Sequence, residues 1–446
     1  MDTAGMISAV QDLLASRSLD GWEITAAASR ILSIEVKEQK VDTFKCSAPL
    51  GVSVRVLKNG GMGFSFSTSM APEDLARMVD NALVGAESQT PDPDHGFPDP
   101  PAAYPDVPGL FDDGLATVAE EAKIAVALDL ERLTLAADPR VRKVRKATYG
   151  DSMVETMVVN SRGVSGRYRG TSVSASVTAV AEENGQSQMG WDFDFSSRFG
   201  GISVERIVAG AVAKATGLLG AATVPTMRCP AVLDTYVATE ILEVLAPAFL
   251  AENVQKGKSL LAGKRGEMIV APLLTIRDDG TLPGGMGTAP FDAEGVPKRN
   301  TVLVESGRLV GYLYDTLRAR KEGVASTGNA IRSGIKSPPH MGVSNLFIEN
   351  GTESPEALLA GIPRGVLLTE VMGMHTANTI SGDFSVGAAG FLVEDGRVVR
   401  PVKGIAIAGN ILELFRGVEA VGNDLRFYGT VGSPSLRIAA LDVSGE

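Results

Sequence analysis

Apolar residues recur at helical spacing at Met6, Ile7, Val10, Leu13 and Leu14, then give way to β-rich runs through Ile31, Ile34, Val36 and Val41. The change of period predicts one helix followed by strands. Val52 to Val56 alternates strictly, and Lys58-Asn59-Gly60-Gly61 supplies residues that tolerate positive φ, which predicts a hairpin into Met62 to Ser67. Pro72, Glu73 and Asp74 then open a second helix with an apolar stripe at Leu75, Met78, Val79, Ala82 and Leu83, its acids lying at the positive end of the dipole. Residues 1–90 are therefore expected to form a small domain with helices layered on an antiparallel sheet.

Seven prolines fall between Pro91 and Pro108, a density that favours extended chain and predicts a linker or strapped-down crossing over residues 91–110. Beyond it, Val118 to Ala137 has amphipathic helical spacing and stops at Asp138-Pro139. Strand patterns follow at Val141 to Tyr149, Met153 to Asn160, Ser172 to Thr178 and Trp191 to Phe195, and Val204 to Leu219 is helical again. This predicts a central domain over 111–225. A third unit, 226–446, starts near Cys229-Pro230 with a helix expected at Thr235 to Ala251, and continues in short strands and glycine-rich turns. The predicted class is α+β: N-terminal and central α/β layered domains followed by a large β-rich C-terminal domain. Two Gly-Gly-Met-Gly tetrapeptides, at Gly60 and Gly284, read as a chance echo.

Charge narrows the function. With 42 basic against 53 acidic residues the net charge is −11, which argues against direct nucleic-acid binding. Two distant cysteines, Cys46 and Cys229, give neither a disulfide framework nor a Cys-x-x-Cys pair, and no long uncharged apolar run occurs. A soluble, cytoplasmic protein with no membrane contact is expected. The three histidines are His95, His340 and His375. His95 lies in the proline-rich stretch and reads as a solvated loop residue.

Gly257-Lys258-Ser259 lacks the first glycine of a phosphate loop, since Glu252 stands there, and no Gly-x-Ser-x-Gly elbow is present. A Ser-His-acid triad stays open, with His340 or His375 as its base. No two histidines are one helical turn apart, so the helical zinc-hydrolase pattern is missing; Glu240 and Glu243 read as a solvated or interface face.

The C-terminal third holds the most distinctive segments: Ala325-Ser326-Thr327-Gly328-Asn329-Ala330, the run Gly382 to Phe391 (GDFSVGAAGF), Ile407-Ala408-Gly409-Asn410 and Val421-Gly422-Asn423-Asp424. With Asp278-Asp279-Gly280-Thr281-Leu282-Pro283, Phe291-Asp292-Ala293-Glu294-Gly295 and Arg318-Ala319-Arg320, this order of segments resembles the TldD/PmbA family, named as modulators of DNA gyrase and classed as metallopeptidases. Ile34 to Thr68 resembles that family's N-terminal domain.

The TldD branch carries H-E-x-x-x-H on a helix and a C-terminal cysteine as zinc ligands. Aligned on Gly257 to Glu267, this chain has Leu242 and Pro247 at the histidine positions, Glu243 at the base position, and Thr430 to Ser433 where the cysteine is expected. The resemblance therefore points to the PmbA/TldE branch. It implies a cytosolic heterodimer with a TldD-type zinc peptidase subunit that acts on unfolded peptides, in antitoxin turnover and peptide-antibiotic maturation; zinc is expected only in that partner, and no cofactor or catalytic residue here. A homodimer through the same surface is a second possibility. Candidate peptide-binding or interface residues are Ser326, Thr327, Asn329, His375, Asn378, Asp383 and Ser385, on the reasoning that glycine-rich backbone can pair with an added peptide strand. Two other functions stay open: an independent hydrolase with a different active site, and a homo-oligomeric peptide-binding protein.

Overall fold

The structure, a computed structural model, describes residues 3–445. The fold is α+β, with layered α/β segments followed by a strand-rich C-terminal region.

The residues before and after the proline-rich stretch share one sheet. The first set comprises α1 (Thr3–Ala15), β1 (Gly21–Lys37), β2 (Lys40–Ser47), β3 (Leu50–Lys58), β4 (Gly61–Ser67) and α2 (Pro72–Ser88). The second comprises α3 (Glu120–Ala137), β5 (Val141–Asn160), β6 (Ser165–Glu183), β7 (Gln186–Ser196) and α4 (Val204–Gly217). Strand order is β4-β3-β1-β5-β6-β7, with β2 added on β1. All pairings are antiparallel, and the centre is the long β1–β5 ladder from Glu23↔Asn160 to Val36↔Ala147. Read outward from that ladder the order is the same in both directions, so the two sets form a pseudo-two-fold pair. Period-2 geometry sends Ile24, Ala26, Val54, Tyr149, Val173 and Val177 to one face, where they pack under the four helices in two adjoining cores.

The two strands expected at Val141 to Tyr149 and Met153 to Asn160 are one strand with register shifts near its start. The proline-rich crossing is strapped down: Tyr104 Oη donates to Gly295 O (3.0 Å) and Asn160 Nδ2 to Pro98 O (2.9 Å). His95 is half-buried rather than solvated, its Nδ1 2.8 Å from Gly60 O.

The C-terminal region begins with β8 (Met227–Leu233) and α5 (Thr235–Leu245). It builds two six-stranded sheets, one in the order 397–410, 383–394, 364–372, β8, 436–444, 418–421, the other in the order 308–309, 300–305, 276–279, 346–348, 431–433, 426–428. Helix α5 packs against strands of both, inside one large apolar core. The helix expected to run to Ala251 stops at Leu245, because Pro247 has no N–H to continue the ladder; a 3₁₀ turn at Ala246–Phe249 and a short helix at Ala251–Gln255 follow. No helix among the described residues is long and apolar enough to cross a membrane.

Candidate functional site

Helix α5 carries three titratable groups within its first turns, Asp234, Tyr236 and Glu240. Its N-cap is Asp234, whose Oδ1 accepts from Val237 N–H (2.8 Å). Burial pushes the Asp234 carboxyl up to about 7, against the opposing pull of that hydrogen bond and of Lys214. One turn on, burial and then the neighbouring Glu243 raise Glu240, and Tyr236 beside it is pushed up to about 12 by burial and then by the Glu240 carboxylate.

The inward face of α5 is apolar. Leu242 is fully buried in the core, Glu243 points to solvent, and Pro247 sits in the 3₁₀ turn. Val431, Gly432 and Ser433 are buried in a strand paired on both sides. Neither leucine nor proline offers a lone pair to a metal, so the residues here do not fit a zinc site of the helical type. Among the described residues no group of three or more His, Cys, Asp or Glu side chains is placed to hold a metal ion.

An aromatic cage covers the start of α5, where α4 and β7 meet it. Lys214 Nζ lies 5.0 Å from the Trp191 ring centroid, 5.8 Å from Tyr236 and 5.9 Å from Tyr428, with no hydrogen-bond acceptor among the described residues. Burial lowers its pKa, opposed by Asp192 and Asp234. Cation–π attraction partly replaces the lost water. Asp192 also pairs with Arg426, which joins β7 to the C-terminal region.

The seven residues singled out in sequence fall into two groups. Thr327 and Asn329 are buried: Thr327 Oγ1 accepts from Tyr314 N–H (2.7 Å) and donates to Asn329 Oδ1 (2.6 Å), and Asn329 Nδ2 donates to Asp278 Oδ2 (2.7 Å). Ser326 Oγ is turned to Tyr314 O at 3.0 Å. This segment buttresses the fold and presents little to a ligand.

His375, Asn378, Asp383 and Ser385 are exposed together, since the 3₁₀ turn Met374–Thr376 packs against strand 383–394. Asp383 does not reach His375 by any hydrogen bond among the described residues; its oxygens accept from Asn410 Nδ2 (2.9 Å) and Ser381 Oγ (2.7 Å), which lower its pKa. The GAAGF half of the GDFSVGAAGF run is paired on both sides, with 364–372 and with 397–410, so the added-strand idea fails there. Asp383 to Val386 keeps a strand partner on one side only, and its other edge lies beside the His375 turn.

A large cleft lies between the helix-free face of the first sheet and the loops of the C-terminal region. That face carries the opposite side-chain phase: Thr25, Ala27 and Ser29 on β1, Val154, Thr156 and Val158 on β5, Gly170, Ser172 and Ser174 on β6. Small and hydroxyl side chains leave room. Three cavities of about 680, 360 and 410 Å³ adjoin along the loop Leu282 to Phe291, sharing Met286 as a common wall. One end carries Asp292, Lys298 and Arg332; the other carries Arg206 and Arg426, near the Trp191–Tyr428 cage.

Buried charges fix the first end. Arg55 pairs with Glu23 (2.6 Å) and Glu294 (3.0 Å), and Arg332 with Glu23 (3.5 Å), so both segments of the chain hold one ion cluster. Burial alone depresses the Arg55 pKa, but Glu23 and Glu294 more than reverse that. Burial lowers Arg332 to about 10 and also lowers Lys298, while Asp292 is raised by burial and then by Glu294. Asp292 and Glu294 belong to a segment prominent in sequence. Lys298 and Arg332 were missed there, because nothing local distinguishes a buried cation from a surface one.

Comparison with known proteins agrees with this architecture. Residues 22–86, 113–219 and 226–445 match, in order, models described as PmbA/TldA metallopeptidase domain 1, central domain and C-terminal domain. The chain is 28% identical to metalloprotease PmbA of Escherichia coli O157:H7, covering 97% of this chain and 94% of that one, and 31% identical to a metalloprotease of Methanothermobacter thermautotrophicus, covering 91% and 88%. The crystal structure of TldE from Thermococcus kodakarensis superposes with a TM-score of 0.90 at 26% identity over the whole of both chains. Fold, domain order and relatives together place this chain in the PmbA/TldD metallopeptidase family.

Proposed function

We propose that this chain is a PmbA/TldE-type subunit that has no metal site of its own and binds unfolded peptide for a TldD-type zinc peptidase partner in the cytoplasm. One observation carries the reading: the two positions aligned with the metal-binding histidines are a fully buried leucine, Leu242, and a proline in a 3₁₀ turn, Pro247. Replacing ligands with core residues removes the Lewis acid but leaves the surrounding walls intact. The adjoining cavities along the first sheet form a surface on which an extended chain can lie. The similarity to TldE and to a TldD homologue of Haemophilus influenzae, 28% identical over 74% of this chain, supports a partner of that second type.

Mixing the purified chain with a TldD-type subunit tests the pairing. The expected result is a one-to-one complex by size-exclusion chromatography with light scattering, with zinc measured only in the partner. A chain that stays apart from every such subunit and hydrolyses peptides alone contradicts the reading.

A further inference from the structure

Beyond the cleft, the first sheet carries a cluster of exposed cations. β5 starts as Val141-Arg142-Lys143-Val144-Arg145-Lys146-Ala147, and its register on β6 slips twice, between Val141 and Lys143 and between Val144 and Lys146. Each slip is a bulge that takes up one extra residue. Val141, Val144 and Ala147, three apart, therefore all reach the core under α3, and both Arg-Lys pairs are left exposed. Of these four cations Lys146 alone has a carboxylate partner, Glu35 at 3.5 Å. Arg145 reaches only Met189 Sδ (3.6 Å), and Arg142 and Lys143 pair with nothing among the described residues.

The local balance is positive although the chain has a net charge of −11. The neighbouring β1–β2 hairpin cancels itself, with Lys37, Lys40 and Lys45 against Glu35, Glu38 and Asp42, and Arg140 is taken by Asp138. β6 adds only Glu182 and Glu183, beyond the Val141↔Ala181 pair, against the four cations of β5. The edge that bears them is open as well: the β1–β5 ladder ends at Val36↔Ala147, so residues 141–146 pair with β6 alone. Like charges held this close repel one another, and acidic groups brought from outside relieve the repulsion.

This patch is continuous with the cleft. From Ser152, which lines the cleft, Gly150, Thr148 and Lys146 follow on the same helix-free face of β5, with Ser176 and Thr178 beside them on β6. Ser152 bonds Ser172 (2.7 Å) and Thr148 bonds Ser176 (2.8 Å), so small side chains pave the way between the two. Six strand residues put Lys146 about 20 Å from Ser152, a distance that about six residues of extended peptide span.

We infer that Arg142, Lys143, Arg145 and Lys146 receive an acidic stretch of an unfolded peptide whose other part lies in the cleft. This rests on the peptide-binding reading above and names the substrate class it favours: segments with clustered Asp or Glu about six residues from the part held in the cleft. A bulged, lysine-bearing edge also discourages strand pairing between copies, but that task needs no preference among peptides.

Fluorescence anisotropy with the full chain tests this, using labelled peptides of Ala, Ser and Gly blocked at both ends: one neutral, one with a Glu run at each end and one with a Lys run at each end. At low salt the Glu peptide is expected to bind about tenfold more tightly than the neutral one, and the Lys peptide more weakly. The preference should vanish in Arg142→Gln/Lys143→Gln/Arg145→Gln/Lys146→Gln with neutral-peptide affinity unchanged, and turn toward the Lys peptide in Lys143→Glu/Lys146→Glu. Lys256→Gln/Lys258→Gln/Lys264→Gln/Arg265→Gln removes the same charge elsewhere and should keep it. Equal binding of Glu and neutral peptides to the unaltered chain overturns the inference and leaves peptide binding standing. A preference that survives the β5 variant, or falls as far in the variant at 256–265, overturns its location. A single-stranded oligodeoxynucleotide that binds through the β5 cations while the Glu peptide gains nothing overturns the acidic-peptide assignment in favour of nucleic acid. Absence of binding by every peptide, the neutral one included, overturns the peptide-binding reading and the inference with it.

Discussion

At the scale of single residues, the decisive positions are Leu242 and Pro247, where the proposed reading has packing in place of metal ligands. Leu242 has no exposure and lies in the core that α5 shares with both C-terminal sheets. Leu242→His puts a polar ring where no partner waits, and about 2–5 kcal/mol of stability should be lost. Adding Pro247→His should not create a zinc site, because the third position lies in the buried Val431 to Ser433 strand. Metal analysis of the purified double variant should find no stoichiometric zinc; one tightly held zinc per chain contradicts this account of α5.

Asp234 provides a second test at this scale. Burial raises its folded pKa to about 7, above a starting value of 3.8, so between those limits the folded chain keeps a proton that the unfolded chain has lost. Its contribution is therefore fully present below about pH 4 and fades as pH rises toward 7, in total on the order of 2–4 kcal/mol. Asp278 and Asp315, each raised to about 6 mainly by burial, act in the same direction. Asp234→Asn retains the cap acceptor and removes the titration. Urea midpoints measured from pH 4 to 7 should fall less steeply in this variant than in the unaltered chain; identical slopes contradict the assignment.

At the scale of elements, the first sheet depends on helices that rest directly on edge strands. A Cβ added at Gly63 of β4 would stand 1.8 Å from Ala82 O in α2, and one at Gly190 of β7 2.2 Å from Ala211 O in α4. Both are backbone atoms, so relief requires the helix to move. Gly63→Ala and Gly190→Ala should each destabilise by roughly 1–3 kcal/mol, read as a lower thermal midpoint. Their similarity is a consequence of the pseudo-two-fold relation between the halves, and an unaffected midpoint in either variant argues against it.

Much of this level was legible in the sequence. The strict alternation of Val52 to Val56, the Asn59-Gly60 turn and the α2 stripe each appear where local periodicity places them. The β1–β5 ladder was not legible, because its partners are more than a hundred residues apart and pairing at that distance leaves no local mark. The cleft was hidden for a related reason. Thr25, Ala27, Ser29 and Thr156 carry no local sign of lining a cavity, and only the packing of the C-terminal region across them turns that side into a wall. Thr327 and Asn329 erred in the opposite direction: a glycine-flanked polar run looked like an exposed loop, whereas its hydroxyl and amide satisfy Tyr314 and Asp278 in the interior.

At the scale of the whole molecule, the first sheet and the C-terminal region close on one another around a cleft. The ion cluster Glu23–Arg55–Glu294–Arg332 and the Asp192–Arg426 pair hold the first sheet against the C-terminal region at two places, so the cleft between them has fixed walls. A rigid cleft lowers the entropic penalty of holding an extended peptide. In the proposed division of labour, the electrophile and the activated water belong to the partner. The most direct measurement is peptide cleavage by this chain alone, by a TldD-type subunit alone and by the two together, with zinc quantified in each. Cleavage of an unfolded peptide is expected only, or at least far faster, in the mixture, with zinc in the partner and none in this chain. Metal-dependent cleavage by this chain alone, unaffected by adding the partner, would contradict it.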